Sequence, residues 1–205
     1  MYPGERFNSI SHLVGACLAL VGAVVLIALA SPRGDATKIV SLAIYGASLL
    51  ALYTVSTLYH SLKGPAKRVF RHLDHTAIYL LIAGSYTPLT LVVLRGRLGW
   101  ALFAAVWALA IIGAVQEFRK VKGERILSVV IYVTMGWLAV VALGPLARAL
   151  GPVGLAGLIA GGVFYTSGIV FYALDRRLPV FHGVWHLFVL AGSIAHYFVV
   201  LAYAT

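Results

Sequence analysis

The sequence predicts an all-α integral membrane protein, folded as a bundle of seven transmembrane helices. Two features of its composition predict this class: 61% of the 205 residues are hydrophobic and only 11% are charged, against about 45–50% and about 25% in soluble proteins. A third feature is that the apolar residues form long runs separated by short polar connectors. These features exclude a disordered chain, a soluble nucleic-acid-binding domain and a disulfide scaffold, for which the single Cys17 has no partner.

Each predicted helix is an apolar run long enough to cross a hydrocarbon core about 30 Å thick, which takes about 20 residues. Each run ends at a short connector that is charged or contains Gly or Pro. Because no connector is long enough to form a separate domain, residues 1–205 are predicted to form a single transmembrane domain. In chain order the runs are 10–30, 39–62, 72–94, 98–118, 126–144, 153–174 and 180–204. The connectors are 31–38, 63–71, 95–99, 119–125, 145–152 and 175–179.

Two of these runs contain residues with a specific structural consequence. Pro88 in the third run lacks an N–H group and is predicted to kink that helix. Gly157 and Gly161 in the sixth run form a GxxxG pattern, which favours close helix packing. The runs are too long for transmembrane β-strands and do not alternate, so a β-barrel is not expected.

The distribution of Lys and Arg predicts the orientation, because cytoplasmic loops carry the excess of positive charge. The side that holds the N-terminus has the larger group: Arg6, Lys63, Lys67, Arg68, Arg71, Arg119, Lys120, Lys122, Arg125, Arg176 and Arg177. The opposite side has Arg33, Lys38, Arg95, Arg97 and Arg148. We therefore expect a cytoplasmic N-terminus, an external C-terminus and a location in the cytoplasmic membrane. The net charge of +10 then reflects topology and anionic headgroups rather than a nucleic-acid partner.

Ionisable side chains inside a membrane helix each cost about 2.5–3.5 kcal/mol at the bilayer centre on insertion scales, so their positions are informative. With this orientation, polar residues of four helices fall at one level, close to the cytoplasmic surface. They are Glu5, Asn8, His12, His60, His72, Asp74, His75, His182 and His186. Their common depth predicts one site near the cytoplasmic side of the membrane.

The spacing of the histidines indicates a metal site. His182 and His186 are four residues apart and share one helix face, as Ser56 and His60 do. Three imidazoles, from His60, His182 and His186, would leave one position open, which is the ligand count of a catalytic zinc ion. Such a zinc ion lowers the pKa of its water to about 7, and Asp74 is placed to take the proton.

Other assignments remain open from spacing alone. The HxxxH pair is also compatible with two interfacial histidines bonded to neighbours or headgroups. His72 and His75 compete with Asp74 for a place at the metal, although an interfacial pair near Arg71 is the favoured interpretation of those two.

Four further residues are expected to support the site from a distance. Glu5, Asn8 and His12 share one helix face and are predicted to form a network that anchors the first helix behind the metal ligands. His196 lies about 15 Å deeper than His186. It is predicted to be a satisfied bundle histidine near Ser193 or to line a substrate cavity.

Four stretches together form a recognisable set of motifs. They are Glu5 to His12 (ERFNSISH), Ser56 to His60 (STLYH), Arg71 to His75 (RHLDH) with Gly84 to Pro88 (GSYTP), and His182 to His186 (HGVWH). The set resembles the hemolysin III family, the bacterial branch of the progestin and adipoQ receptor superfamily, over essentially the whole chain.

The resemblance implies a zinc ion held by His60, His182 and His186. It also implies that Asp74 contacts the zinc-bound water, with Ser56 nearby. In the adiponectin receptors of this superfamily the site is linked to ceramidase activity, the hydrolysis of a sphingolipid amide. By analogy we expect a zinc-dependent hydrolase of a lipid amide or ester that serves membrane lipid homeostasis, with a membrane lipid as its partner. The short external loops make a protein hormone an unexpected ligand.

Two alternatives from other functional classes remain at this stage. The first is a cytolysin or channel, as the hemolysin III name implies. The second is a non-catalytic sensor or regulator of membrane state that zinc stabilises. The sequence identifies neither the substrate nor the oligomeric state, and it does not separate zinc from other divalent metals.

Overall fold

The computed structural model describes residues 4–119, 125–178 and 180–205, and in these ranges the chain is almost entirely helical. The α-helices are α1 (Arg6–Ala30), α2 (Ala36–Ser61), α3 (Gly64–Pro88), α4 (Gly96–Arg119), α5 (Ile126–Trp137), α6 (Leu143–Leu174) and α7 (Val180–Ala204). Short 3-10 turns cover Ser31–Arg33 and Leu138–Ala142, and a π-helix covers Leu89–Leu94. The predicted all-α class is confirmed for these residues.

Six helical stretches in the described part of the chain are long and apolar enough to cross a membrane. One of them, Ile126–Leu174, contains α5 and α6 and has 49 residues. A straight helix of that length would measure about 74 Å, more than twice the hydrocarbon thickness of about 30 Å. Gly151 interrupts it with φ 61° and ψ −177°. Arg125 before the stretch and Asp175 after it form an ion pair at 2.7 Å, so the stretch folds back on itself.

Several predicted connectors are wrong in part, because α2 begins at Ala36, α3 at Gly64 and α4 at Gly96, inside the connectors predicted over 31–38, 63–71 and 95–99. α3 begins at Gly64 rather than at 72, and its second residue is Pro65. Proline suits the first helical turn, because a backbone N–H there would have no partner within the helix. Residues 145–150 are helical, although the sequence predicts a connector over 145–152. α1 also begins earlier than predicted, at Arg6.

Other parts of the connectors and of the charge pattern fall where the structure gives no description. The described residues do not include 120–124, which belong to the connector 119–125 and contain Lys120 and Lys122. They also do not include residue 179 of the connector 175–179. The contribution of these lysines to the predicted orientation stays a prediction from sequence.

The irregularity predicted at Pro88 takes the form of a change in helix type. α3 ends at Pro88 and the chain continues as a π-helix. Thr87 Oγ1 donates to the Ala83 carbonyl at 2.9 Å, and Thr90 Oγ1 donates to the Tyr86 carbonyl at 2.8 Å. These hydroxyl groups satisfy backbone oxygens around the position where proline has no N–H to offer.

Close packing of α6 against α7 sets the position of the helix that carries the HxxxH pair. A Cβ atom on Gly161 would lie 2.1 Å from Cδ2 of His196, and one on Gly157 would lie 2.8 Å from Cγ2 of Val199. The packing predicted from the GxxxG pattern is therefore confirmed, and it occurs within this chain.

Candidate metal centre

The structure brings three predicted ligands, His60, His182 and His186, into one group. One ring nitrogen of each lies within 4.8 Å of those of the other two. The ring centroid of His60 lies 5.1 Å from that of His182 and 4.9 Å from that of His186. His60 and His186 are 2% exposed. A group of this size could hold one metal ion, and it is the one such group in the ranges that the structure describes.

Two of the three imidazoles are paired with a carboxylate through Nδ1. His60 Nδ1 lies 2.6 Å from Oε2 of Glu5, and His182 Nδ1 lies 2.9 Å from Oδ2 of Asp175. An ionised carboxylate only accepts hydrogen bonds, so each Nδ1 carries the proton. Each Nε2 is then left with its lone pair, which is how a carboxylate prepares a metal-binding histidine.

The third imidazole, His186, has the same arrangement with a backbone oxygen. Its Nδ1 lies 3.2 Å from the Asn8 carbonyl oxygen and 3.3 Å from Oγ of Ser11. Because the carbonyl only accepts, Nδ1–H is the donor here too. All three histidines therefore present Nε2 as the available ligand atom.

The Nε2 atom of His60 shows that a metal ion fits this group. It is buried and has no hydrogen-bond partner within the described structure. A buried acceptor left without a partner costs about 1–3 kcal/mol. A cation bound between the three Nε2 atoms would remove that cost, and neutral imidazole suits zinc as a ligand.

Glu5 connects the site to the start of α3. Besides His60 it accepts hydrogen bonds from Lys67 Nζ at 2.8 Å and from Asn8 Nδ2 at 3.1 Å. Burial raises the pKa of Glu5, but the hydrogen bonds from His60 and Lys67 outweigh it and hold the pKa well below its usual range. The Lys67 ammonium also lies 4.7 Å from the ring centroid of Tyr59. Glu5 is thus paired with His60 on the Nδ1 side of the ring, and its role in supporting a metal ligand stays a prediction.

Asp175 plays the equivalent part behind His182, and the sequence analysis missed it. Its Oδ1 accepts a hydrogen bond from Arg125 Nη1 at 2.7 Å. Burial raises the pKa of Asp175, but the hydrogen bonds from His182 and Arg125 lower it by more, so the pKa lies below its usual value. The Arg125 guanidinium lies 4.8 Å from the ring centroid of Tyr172. The available signal was that Asp175 is one of only six acidic residues in the chain and lies seven residues before His182.

Asp74 and Ser56 line the same small pocket as the candidate ligands His182 and His186. Ser56 is 1% exposed and Asp74 is half-buried. The Asp74 carboxylate does not belong to the group of mutually close ligand atoms. The structure thus brings both predicted catalytic residues to the site without placing either among the possible ligands.

The remaining supporting residues divide between the site and the bundle interior. His12 stacks on His186 with ring centroids 3.6 Å apart, and neither of its nitrogens has a hydrogen-bond partner in the described ranges. Its predicted link with Glu5 and Asn8 is therefore not a hydrogen bond. His196 Nε2–H donates to the Leu158 carbonyl at 3.1 Å.

An apolar cavity of about 90 Å³ adjoins the site pocket. Both spaces are lined by Leu52, Ile78, Trp185 and Val189. His196 lines the cavity but not the site pocket. The shared walls connect the level of the ligands with the interior of the bundle. This arrangement suits a ligand with a polar end and an apolar chain.

A second polar cluster lies next to the site, on α3, α4 and α5. His75 Nδ1–H donates to Oε1 of the fully buried Glu117 at 2.7 Å. His72 Nδ1 lies 3.9 Å from the same oxygen. The favoured interpretation of these histidines as an interfacial pair near Arg71 is therefore wrong for His75, whose partner is a buried acid on another helix.

Comparisons with known proteins agree over nearly the full chain. The family model described as Haemolysin-III related matches residues 2–197. A Bacillus cereus protein named Hemolysin-3 is 45% identical over 200 residues, covering 97% of this chain and 91% of the relative. A Hemolysin-3 homolog of Bacillus subtilis (strain 168) is 43% identical, covering 97% and 93%. The human monocyte to macrophage differentiation factor is 30% identical over 202 residues, covering 96% and 82%.

Proposed function

The chain belongs to the Haemolysin-III related family of multi-pass membrane proteins, and from that premise we propose that it is a zinc-dependent hydrolase of a membrane lipid amide or ester. One observation carries the proposal. Three histidines, of which His60 and His186 are buried, have Nδ1 engaged and Nε2 available within one group. His182 and His186 line a pocket together with Asp74, and that pocket shares walls with an apolar cavity.

The proposed ligands are His60, His182 and His186. When bound, zinc supplies a Lewis acid for a carbonyl oxygen and lowers the pKa of a water molecule to about 7. Asp74 takes the proton of the attacking water and gives it to the leaving amine or alcohol, as the bond between the acyl carbon and that group breaks. Ser56 donates a hydrogen bond to the developing oxyanion.

The cavity supports a substrate with an acyl chain. Its walls are largely apolar, and they continue from the pocket that holds Asp74 and the ligands. A lipid would place its carbonyl group at the zinc and its chain in the cavity, so that burial of the chain holds the reacting bond in position. We propose a ceramidase-like N-acyl lipid as the first substrate class to examine, with membrane lipid homeostasis as the physiological role.

The proposed topology is one seven-helix domain in the bacterial inner membrane, with the N-terminus in the cytoplasm. The ion pair between Arg125 and Asp175 supports two crossings by Ile126–Leu174, because it joins the start and the end of that stretch. The excess of Lys and Arg supports a cytoplasmic position for that pair and for the metal site.

One observation favours a different function. The Bacillus cereus relative is named Hemolysin-3, which suggests cytolysis or pore formation. The described residues at the end of the bundle away from the histidines form an apolar cluster that includes Leu89, Leu146 and Val199. An apolar closure of this kind supports the hydrolase over an open polar pore.

The origin of the ligands supports a third candidate, a zinc-stabilised sensor or regulator of membrane state. His60 belongs to α2, whereas His182 and His186 belong to α7. A metal ion would therefore join two helices that are distant in sequence, whether or not the protein turns over a substrate.

Metal content and lipid turnover distinguish these functions. Mass spectrometry of the detergent-purified protein should find about one zinc per chain, and the His182→Ala, His186→Ala double variant should lose it. Wild-type protein should then hydrolyse one class in a panel of N-acyl sphingoid bases, diacylglycerols and phospholipids. Absence of zinc after incubation with the metal would refute the hydrolase. Zinc without turnover of any lipid would favour the regulator, and bilayer conductance that persists in the double variant would favour the pore.

A further inference from the structure

Glu117, near the end of α4, is a fully buried acid that the proposed reaction does not use. A buried carboxylate is costly unless it is paired and hydrogen-bonded. Its Oε1 accepts the hydrogen bond from His75 Nδ1, and its Oε2 accepts one from Ser128 Oγ at 3.4 Å. Glu117 therefore links α4 to α3 through one residue and to α5 through another.

His75 is held a second time through its backbone. Tyr132 on α5 donates from Oη to the His75 carbonyl oxygen at 2.9 Å. A single residue of α3 is thus fixed by both α4 and α5, through its side chain and its main chain. These contacts restrain the rotation of α3 about its own axis at this level.

Asp74 is the residue before His75, and within the described ranges the structure gives its carboxylate no hydrogen bond or ion pair. Successive residues of an α-helix lie about 100° apart around its axis. Both Asp74 and His75 line the pocket that His182 and His186 line, but His75 directs its Nδ1 to Glu117. The direction of the Asp74 carboxylate is therefore set by the rotation of α3.

We propose that Glu117 is a positioning residue, which pairs with His75 to hold Asp74 toward the three-histidine group. The inference rests on the proposed function, because Asp74 acts in that reaction. The metal ligands themselves come from α2 and α7, and the restraint by Glu117 acts on α3. A change at Glu117 should therefore disturb Asp74 and leave the metal bound.

The test uses the full-length protein in detergent, loaded with Co²⁺, whose visible absorption bands report the surroundings of the metal. Asp74→Ala should shift these bands, and Glu117→Ala should shift them in the same direction while cobalt stays at one per chain. Glu117→Gln keeps an oxygen that accepts the His75 hydrogen bond, so its spectrum should resemble that of the wild type. Tyr132→Phe removes only the hydroxyl group at the His75 carbonyl and should give a smaller shift in the same direction.

Each other result decides against the inference. A wild-type spectrum in Glu117→Ala, beside a shifted one in Asp74→Ala, would show that Glu117 does not position Asp74. Loss of cobalt from Glu117→Ala would show that it supports the ligands instead. If Glu117→Ala does not fold, the spectrum of Tyr132→Phe decides by the same criteria. An unshifted Asp74→Ala would refute the role of Asp74, whereas failure of the wild type to bind cobalt would refute the proposed function itself.

Discussion

An imidazole that donates Nδ1–H to a carboxylate presents Nε2, with its lone pair, on the opposite side of the ring. Glu5 and Asp175 pair in this way with two candidate ligands from different helices, and each carboxylate is shared with a cation. Glu5 lies between His60 and Lys67, and Asp175 lies between His182 and Arg125. The two negative charges also lie where they would offset the charge of a bound dication.

We therefore predict that Glu5→Gln and Asp175→Asn each weaken zinc binding by about 10- to 100-fold, the range found for partners of metal-binding histidines. Competition with a chromophoric chelator would measure the affinity. Asp35→Asn is the matched control, because Asp35 is an acid at the opposite end of the bundle, in an exposed ion pair with Arg95. Unchanged affinity in both site variants would contradict the assigned role.

Asp74 should separate metal binding from turnover. Asp74→Asn removes a proton acceptor and leaves the three histidines in place, so we predict about one zinc per chain and a loss of hydrolysis of at least about 100-fold. Zinc content and the rate with the best lipid of the panel would be measured on the same preparation. Turnover within a few fold of the wild type would exclude Asp74 as the acid–base residue.

His182 and His186 were predictable because their signal is local, and His60 because it shares their depth in the membrane. An HxxxH pair places two imidazoles on one helix face, whatever the rest of the fold is. Asp175 and Glu117 gave no such signal, since each acquires its partner only when another helix packs beside it. Asp175 precedes Arg176 and Arg177, and Glu117 lies close to Arg119, so both resemble solvated residues at a membrane surface. Pairing across helices is a tertiary property that spacing does not contain.

At the level of helices, hydropathy predicted the apolar runs but not where the helices begin. Gly64 to Arg71 is rich in cations and was assigned to a connector, although the structure continues α3 through it. Hydropathy reports depth in the membrane, whereas helix length depends on backbone hydrogen bonds that persist beyond the hydrocarbon core. The same distinction explains the helical turns at Leu143–Leu150.

The contact between α6 and α7 gives a prediction with an adjacent control. A Cβ atom at Gly161 would lie 2.1 Å from Cδ2 of His196, whereas the nearest atom to a Cβ at Gly162 is Cζ2 of Trp137 at 3.8 Å. Gly161→Ala should destabilise the bundle by about 1–3 kcal/mol through overpacking. Gly162→Ala should be neutral or stabilising by up to about 1 kcal/mol, because Ala favours helix. Thermal unfolding in detergent would compare them, and equal midpoints would contradict the tight contact.

For the molecule as a whole, the metal should act as a link between α2 and α7. A ligand that binds only the folded state at 100 times its Kd stabilises that state by about 2.7 kcal/mol. We predict that a chelator lowers the thermal midpoint, that zinc restores it, and that His60→Ala responds to neither. A midpoint that is independent of zinc in a protein shown to contain zinc would contradict this link.

The number and direction of the crossings can be decided by labelling single cysteines in intact cells, in a Cys17→Ser background. Seven crossings with a cytoplasmic N-terminus place Thr37 and Arg148 outside, and Lys63 and Arg176 inside. An impermeant maleimide should therefore label Thr37→Cys and Arg148→Cys in whole cells, and Lys63→Cys and Arg176→Cys only after lysis. If Ile126–Leu174 crossed once, Arg176→Cys would be labelled from outside. That result would place Asp175 away from the cytoplasmic surface. Because Asp175 is bonded to Arg125 and His182, it would also exclude a metal site on the cytoplasmic side.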